Sequence, residues 1–226
     1  MAIVDTPPPI AARPAREEAG HNGAARTEPA APPSDTTLNW GNSAPLALLA
    51  FGVPTFMLSM INAGAISKGV EPVLFGVALM CGGITALIAG IIQLRTGKTF
   101  TGVLFCGFGA FWLSLFAIAQ WYLKAVPPAQ VGQAMGLFLY AFGIFLVVMF
   151  AASFRTNVVT VLTLAFIGVA VFLLGAGNYG AHATLIHWGG YLGLAASACI
   201  FYAALSELCE ISYERPVLPV WPLAAH

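Results

Sequence analysis

Residues 156–206 read TNVVTVLTLAFIGVAVFLLGAGNYGAHATLIHWGGYLGLAASACIFYAALS, and this 51-residue stretch contains no Asp, Glu, Lys or Arg. A helix that crosses a lipid bilayer needs about 20 predominantly apolar residues, so a stretch of this length holds two such helices. The break between them falls at 175–182, GAGNYGAH, where glycines and polar groups interrupt the apolar run. The stretch therefore predicts two membrane-spanning helices joined by a short loop.

Four further stretches lack charged residues, and each holds one span; they are 39–67, 72–94, 99–123 and 125–154. The whole chain is 59% hydrophobic and 8% charged, whereas a soluble domain is about one quarter charged. The runs are continuously apolar rather than alternating, which favours helices over the strands of an outer-membrane barrel. The sequence predicts an all-α polytopic membrane protein, one bundle of six transmembrane helices at 44–66, 73–94, 100–123, 131–152, 156–177 and 186–207.

The chain is expected to divide into a tail over 1–38, a six-helix transmembrane domain over 39–212 and a short C-terminal tail over 213–226. Seven of the 15 prolines lie in the first tail, among alanines and charges of both signs, a composition typical of disorder. Six spans place both termini on one side. The short loops on that side carry three basic residues against two on the other (Arg95, Lys98 and Arg155 against Lys68 and Lys124). This excess predicts cytoplasmic termini in an inner or plasma membrane.

Ionisable groups inside a membrane are the usual functional candidates, and few occur here. His187 begins the last span and Glu207 ends it, while no carboxylate lies near the middle of a span. We find no catalytic triad, phosphate-binding loop or metal-ligand spacing, so the sequence predicts no enzyme, no cofactor, no metal site and no nucleic-acid partner. A narrow pathway with a neutral polar lining remains, and this suits a small solute. Asn62 and Asn178, beside glycines at helix ends, either line that pathway or cap backbone groups.

Two patterns of side-chain size leave alternatives open. Small residues recur every four positions in three spans, which predicts close helix packing either within the chain or between copies of it. The first row is Gly82, Ala86 and Gly90, the second is Gly102, Cys106 and Ala110, and the third is Gly189, Gly193 and Ser197. The third span also carries an aromatic stripe, which either faces lipid or narrows a pore; its members are Phe105, Phe108, Phe111, Trp112 and Phe116.

The start of the first span, NSAPLALLAFG at 42–52, resembles the signature of the acetate uptake transporter family, also called succinate–acetate permeases or YaaH-like proteins. The family signature reads Asn-Pro-Ala-Pro-Leu-Gly-Leu, and this chain keeps five of its seven residues. The resemblance continues through shorter matches that fall in order over 42–220, among them NAG at 62–64, KTF at 98–100, FGAFWLSL at 108–115, IHWGGYLGL at 186–194 and FYAALSE at 201–207.

The resemblance implies a homo-hexamer of six-helix protomers in the lipid bilayer, each passing acetate and related small monocarboxylates as a symporter or an anion channel. It implies an apolar constriction at Phe51, Phe108 and Ile167, where the family commonly has Tyr in place of Phe108 and Leu in place of Ile167. Pro45 suits the first turn of the first helix, and Asn42 can cap it. The candidate residues of the pathway and its vestibules are Asn42, Pro45, Asn62, Asn178, His187, Tyr202 and Glu207.

Three positions depart from the family in ways that make the pathway less polar: Ala86 replaces a Gln, Gln93 a Glu and Ile61 a His. Transport of succinate, which has two carboxylates, is expected to be reduced most by these changes. Two other functions remain open. One is a channel for a neutral small solute such as urea, possible because composition alone establishes only six spans with a neutral lining. The other is a non-transporting membrane sensor or scaffold that uses the N-terminal tail.

Overall fold

The computed structural model describes residues 40–223, and within them six helices are long and apolar enough to cross a membrane. They are α1 (Ala44–Asn62), α2 (Lys68–Arg95), α3 (Thr99–Ala125), α4 (Pro128–Ser153), α5 (Val158–Tyr179) and α6 (Ala183–Tyr213). The predicted all-α, six-span fold is confirmed. The disordered tail predicted for 1–38 lies outside the described residues, as does the end of the C-terminal tail at 224–226.

The six helices form a ring in chain order. Each helix packs against the next one along the chain, and α6 returns to pack along α1, which closes the ring. Because the loops are short, successive helices run in opposite directions. The turns at 96–98 and 154–157 therefore share one end of the bundle with Trp40 and Leu223. We call this the termini end, and the other the opposite end.

Helix boundaries differ from the sequence prediction by up to six residues, and two of them show the physical reason. The first span was predicted to reach residue 66, but α1 ends at Asn62 because the chain turns at Gly64, whose φ of 77° favours glycine. The last span was predicted to end at 207, but α6 continues to Tyr213. An apolar run ends at its first charge, here Glu207, whereas a helix continues until its backbone is capped. The cap is Glu214, in the left-handed region with φ of 54°.

The small-residue rows pack helices of the same chain against each other. A Cβ built on Gly90 of α2 would lie 2.7 Å from the backbone nitrogen of Cys106 in α3. In α6, a Cβ on Gly193 would collide with the hydroxyl of Ser59 in α1. These positions let helix backbones approach closely, as small residues do in membrane bundles. Of the two alternatives left open by the sequence, the structure supports packing within the chain.

Candidate transport pathway

Three cavities lie in series along the axis of the bundle. The termini-end cavity, of about 160 Å³, is lined by residues that include Leu48, Thr101, Thr160, Thr163, Leu164, Glu207 and Val220. The central cavity, of about 50 Å³, is lined by residues that include Thr55, Ser59, Trp112, Phe142, Leu146, Ile167 and Val171. The opposite-end cavity, of about 190 Å³, is lined by residues that include Lys68, Glu71, Leu115, Met135 and Asn178. Neighbouring cavities share wall residues, so together they trace one route through the chain.

Phe51 and Phe108 form the wall between the termini-end cavity and the central cavity. Phe51 projects from α1 and Phe108 from α3, and their rings stack with centroids 3.9 Å apart and planes 23° from parallel. Both side chains are buried. Phe145 of α4 meets Phe108 edge-on, with centroids 6.3 Å apart. Ile167 of α5 is also buried and lines the central cavity. All three residues of the predicted constriction therefore lie on the route.

A polar stripe on α1 runs along the central cavity. Thr55, Ser59 and Asn62 follow at steps of four and three residues, which places them on one helix face. The hydroxyl of Thr55 donates to the carbonyl of Phe51 at 2.7 Å, and that of Ser59 donates to the carbonyl of Thr55 at 2.6 Å. Asn62 was predicted from the sequence, whereas Thr55 was not, although the helical spacing of the three residues indicates a shared face.

Asn42 joins three elements at the termini end. Its side-chain oxygen accepts from the backbone nitrogen of Ala44 at 3.1 Å, which satisfies a free donor at the start of α1 as expected. The same oxygen accepts from Nε2 of Gln93 at 3.1 Å and from Nζ of Lys98 at 3.3 Å. Its side-chain nitrogen donates to Oε2 of Glu207 at 3.1 Å, and Glu207 lines the termini-end cavity. The two predicted vestibule residues Asn42 and Glu207 are therefore in direct contact.

Gln93 is the buried centre of this network. It is 1% exposed, its Nε2 also donates to the hydroxyl of Ser43 at 2.9 Å, and its Oε1 accepts from the hydroxyl of Thr101 at 3.0 Å. The Ser43 hydroxyl in turn donates to the carbonyl of Ala89 at 2.9 Å. Gln93 was predicted as a neutral polar residue of the pathway and as a departure from the family, but no local signal in the sequence connects it to Asn42 and Ser43, about fifty positions earlier in the chain.

Pro45 and Tyr202 lie near the termini-end cavity without lining any of the three cavities. Pro45 is buried in the first turn of α1. Tyr202 donates its hydroxyl to the carbonyl of Pro219 at 2.8 Å and so holds the segment 214–223 against the helices. Val220 of that segment lines the termini-end cavity. The contact of Tyr202 with the pathway is therefore indirect.

At the opposite end, Asn62 lines both the central and the opposite-end cavity. Asn178 lines the opposite-end cavity, and its side-chain nitrogen donates to the carbonyl of Leu174 at 2.8 Å. His187 is exposed and lines a separate surface cavity, which it shares with Asn62 and Lys68. Asn62 and Asn178 therefore line the opposite-end cavity, whereas His187 lines a neighbouring cavity that shares Asn62 with it.

Comparison with known proteins agrees with this geometry. The model of the GPR1/FUN34/yaaH family matches residues 23–225. The chain belongs to this family. The resemblance inferred from the signature at 42–52 is thereby confirmed.

Two relatives and one solved structure show how far the similarity to other GPR1/FUN34/yaaH proteins extends. The chain is 31% identical over 179 residues to the succinate-acetate/proton symporter SatP of Escherichia coli, which covers 79% of this chain and 94% of that protein. It is 30% identical over 197 residues to acetate permease A of Emericella nidulans, covering 80% and 66% of the two chains. The solved structure of the bacterial acetate channel SatP superposes with a TM-score of 0.74 at 30% identity, covering 80% of this chain and 99% of that one.

Family membership and six apolar helices make this chain a multi-pass membrane protein. The relatives align over most of the described helices, so the ring of six helices is a feature of the family rather than of this chain alone. The Phe51–Phe108 stack, by contrast, differs from the family pattern, because the resemblance places a Tyr at the position of Phe108.

Proposed function

We propose that this chain carries acetate and related small monocarboxylates across a membrane and catalyses no chemical reaction. The proposal is supported by the relatives named for acetate or succinate–acetate transport. It is supported equally by the three cavities, which form one route between the two ends of the helix bundle.

The single observation that carries the proposal is the stacked pair Phe51 and Phe108 between two cavities. The termini-end cavity has threonine hydroxyls and the Glu207 carboxyl in its wall, so it can hold water. The Phe51–Phe108 wall offers no hydrogen bond, and an apolar constriction of this kind excludes water until it opens. Such a constriction passes only a narrow solute whose dehydration costs little free energy. Ile167 adds apolar bulk on the central side.

Residues at the two mouths are proposed to receive the solute. Asn42 and Glu207 shape the termini-end vestibule, and the buried Pro45 fixes the first turn of α1 beneath it. At the opposite end Asn62 and Asn178 line the opposite-end cavity, and His187 lines the neighbouring surface cavity. We assign the termini end to the cytoplasm, because its short loops carry the small excess of basic residues.

The assembly is proposed to be a homo-hexamer with one pathway in each protomer, as the family resemblance implies. The outer face of α4 is apolar and exposed, with Leu137, Ile144 and Val148 each more than 60% accessible. Such a face suits either lipid or a neighbouring protomer. Native mass spectrometry of the purified protein tests the assembly, and a mass of six chains is expected.

The function is tested by uptake into proteoliposomes. Radiolabelled acetate should enter protein-containing vesicles faster than vesicles of the same lipid without protein, whereas urea should enter both at one rate. Faster entry of urea with unchanged entry of acetate would replace the proposal with a channel for neutral solutes. No enhanced uptake of either solute would favour a sensor or scaffold, and deletion of residues 2–38 would then test whether the tail carries that role.

A further inference from the structure

The segment that follows the last helix folds back toward the termini-end cavity. α6 ends at Tyr213, and we call residues 214–223 the C-terminal strap. The buried hydroxyl of Ser206 donates to the carbonyl of Leu218 in the strap at 3.0 Å. Ser206 lies seven residues before the end of α6, and a helix rises about 1.5 Å per residue, so the strap returns by about 10 Å along the helix.

The strap presents one face to the helix bundle. Leu218 and Val220 are partly buried, whereas their neighbours Val217, Pro219 and Trp221 are exposed. Alternation with a period of two is typical of an extended segment that covers a surface with one face. Val220 lines the termini-end cavity together with residues of α1, α3, α5 and α6. The strap therefore supplies part of the wall of this cavity.

The far end of the strap is attached to the start of α5. The backbone nitrogen of Val158 donates to the carbonyl of Trp221 at 3.0 Å, and that of Leu223 donates to the carbonyl of Thr156 at 2.9 Å. Thr156 also lines the termini-end cavity. Because its near end is attached to α6, the strap crosses this end of the bundle from α6 to α5 beside the cavity.

Few bonds hold the strap, and its backbone is strained at two points. Among the described residues, four hydrogen bonds join it to the rest of the chain. Pro216, Pro219 and Pro222 have no N–H group that could add to them. Glu214 and Trp221 adopt the left-handed region, with φ of 54° and 50°, which residues other than glycine rarely do. Release of the strap would relieve this strain, and Glu214 lies where a hinge is needed.

We propose that the C-terminal strap is a movable wall of the termini-end vestibule, that it lifts to let a solute pass, and that Val220 is the strap residue that the solute meets. This inference rests on the proposed function and adds a gate at one end of the route. The rate of uptake then depends on the fraction of molecules in which the strap is lifted.

The first experiment locks the strap in place. Asn157 and Pro222 form an antiparallel bridge that the two backbone hydrogen bonds flank, so their Cα atoms lie about 4.5 Å apart, a distance that a disulfide can span. In the double variant Asn157→Cys/Pro222→Cys, oxidation should reduce acetate uptake toward that of protein-free vesicles, and reduction of the disulfide should restore it.

The wild-type protein is the control for these treatments, because it keeps the four native cysteines and should not respond to either. Mass spectrometry establishes that the disulfide has formed. Equal uptake by the cross-linked and the reduced double variant would overturn the inference and leave acetate transport standing.

The second experiment changes the size of the side chain at Val220. Val220→Phe adds bulk to the cavity wall and should cause a loss of acetate uptake. Val217→Phe is the matched control, because Val217 lies on the same strap, is 44% exposed and lines none of the three cavities. If the two variants transport acetate at the same rate, Val220 does not face the route and its assignment is wrong.

A third measurement does not depend on transport. Phe105 lines the termini-end cavity and is 2% exposed, so hydroxyl radicals from solution should label it faster when the strap lifts. The cross-linked double variant should label more slowly at Phe105 than the reduced one, and equally at Trp121, which is 65% exposed near the opposite end. Equal labelling of Phe105 would overturn the movable strap. Failure of acetate transport itself would appear instead as wild-type uptake equal to that of protein-free vesicles.

Discussion

The Phe51–Phe108 wall makes a quantitative prediction. Phe108→Ala removes one face of the stack and the edge-on contact with Phe145, and it opens the central cavity toward the termini-end cavity. A stacked aromatic pair contributes about 0.5–1.5 kcal/mol beyond its buried area. If a passing solute must separate this pair, the barrier falls by that amount. Since each 1.36 kcal/mol changes a rate tenfold, acetate uptake should rise about 2- to 12-fold.

Selectivity should change together with the rate. The widened wall can hold water, so larger acids such as lactate should enter and the lactate-to-acetate ratio should rise. Ile167→Ala should act in the same direction but more weakly, because it removes less bulk. Phe108→Tyr, which restores the hydroxyl common in the family, should change the ratio more than the rate.

The control for this prediction lies three residues earlier on the same helix. Phe105 is as buried as Phe108 and lines the termini-end cavity, but it does not line the central cavity and its ring is not stacked on Phe51. Phe105→Ala therefore imposes a similar packing loss, about 3–5 kcal/mol for a buried Phe, and leaves the stack in place. Uptake of both acids is measured in vesicles with equal amounts of folded protein. If Phe108→Ala and Phe105→Ala give the wild-type lactate-to-acetate ratio, the stack is not the selective barrier.

Three further substitutions test other parts of the structure. Gln93→Leu removes the hydrogen bonds that Gln93 makes with Asn42, Ser43 and Thr101 and should lower the melting temperature in detergent, since each lost bond contributes about 0.5–1.5 kcal/mol; an unchanged melting temperature would contradict the network. Tyr202→Phe loses the bond to segment 214–223 and should raise amide exchange in that segment alone. His187→Gln should leave the stimulation of uptake at low pH intact, because protonation of the solute produces it; a flat pH profile would instead assign the response to the histidine.

The fold was predictable because a bilayer fixes the length of a helix that crosses it. Each of the five uncharged stretches holds the main part of one or two of the observed helices, and the errors fell at helix ends, where backbone geometry decides. The turn at Gly64 ended α1 four residues early, and the left-handed Glu214 ended α6 six residues late. Neither event changes the hydropathy from which the spans were predicted.

The pathway was only partly predictable. The Phe51–Phe108 wall joins residues 57 positions apart, and only the family resemblance indicated that they meet. The resemblance gave no information about hydrogen bonds in this chain, so the links from Gln93 to Ser43 and Thr101 were missed. The same holds for the unpartnered indole of Trp112, which the sequence shows only as one member of an aromatic stripe. A local sequence pattern indicates which residues share one face of a helix. Hydrogen-bond partners depend on which helix faces meet in the fold, and the local pattern does not contain that information.

The uncharged lining of the central cavity favours neutral acids over carboxylates, and this preference predicts how dicarboxylates behave. Above the pKa of its carboxyl group, the neutral fraction of a monocarboxylic acid falls tenfold for each unit of pH. A dicarboxylic acid must bind two protons to become neutral, so its neutral fraction falls about 100-fold per unit once both groups are ionised.

The acetate-to-succinate uptake ratio should therefore rise about tenfold for each unit of pH between pH 6.5 and 7.5. Uptake of both labelled acids in the same vesicles at matched concentrations gives the ratio directly. A ratio that stays constant with pH would mean that succinate crosses with a negative charge, which the uncharged lining of the central cavity does not accommodate.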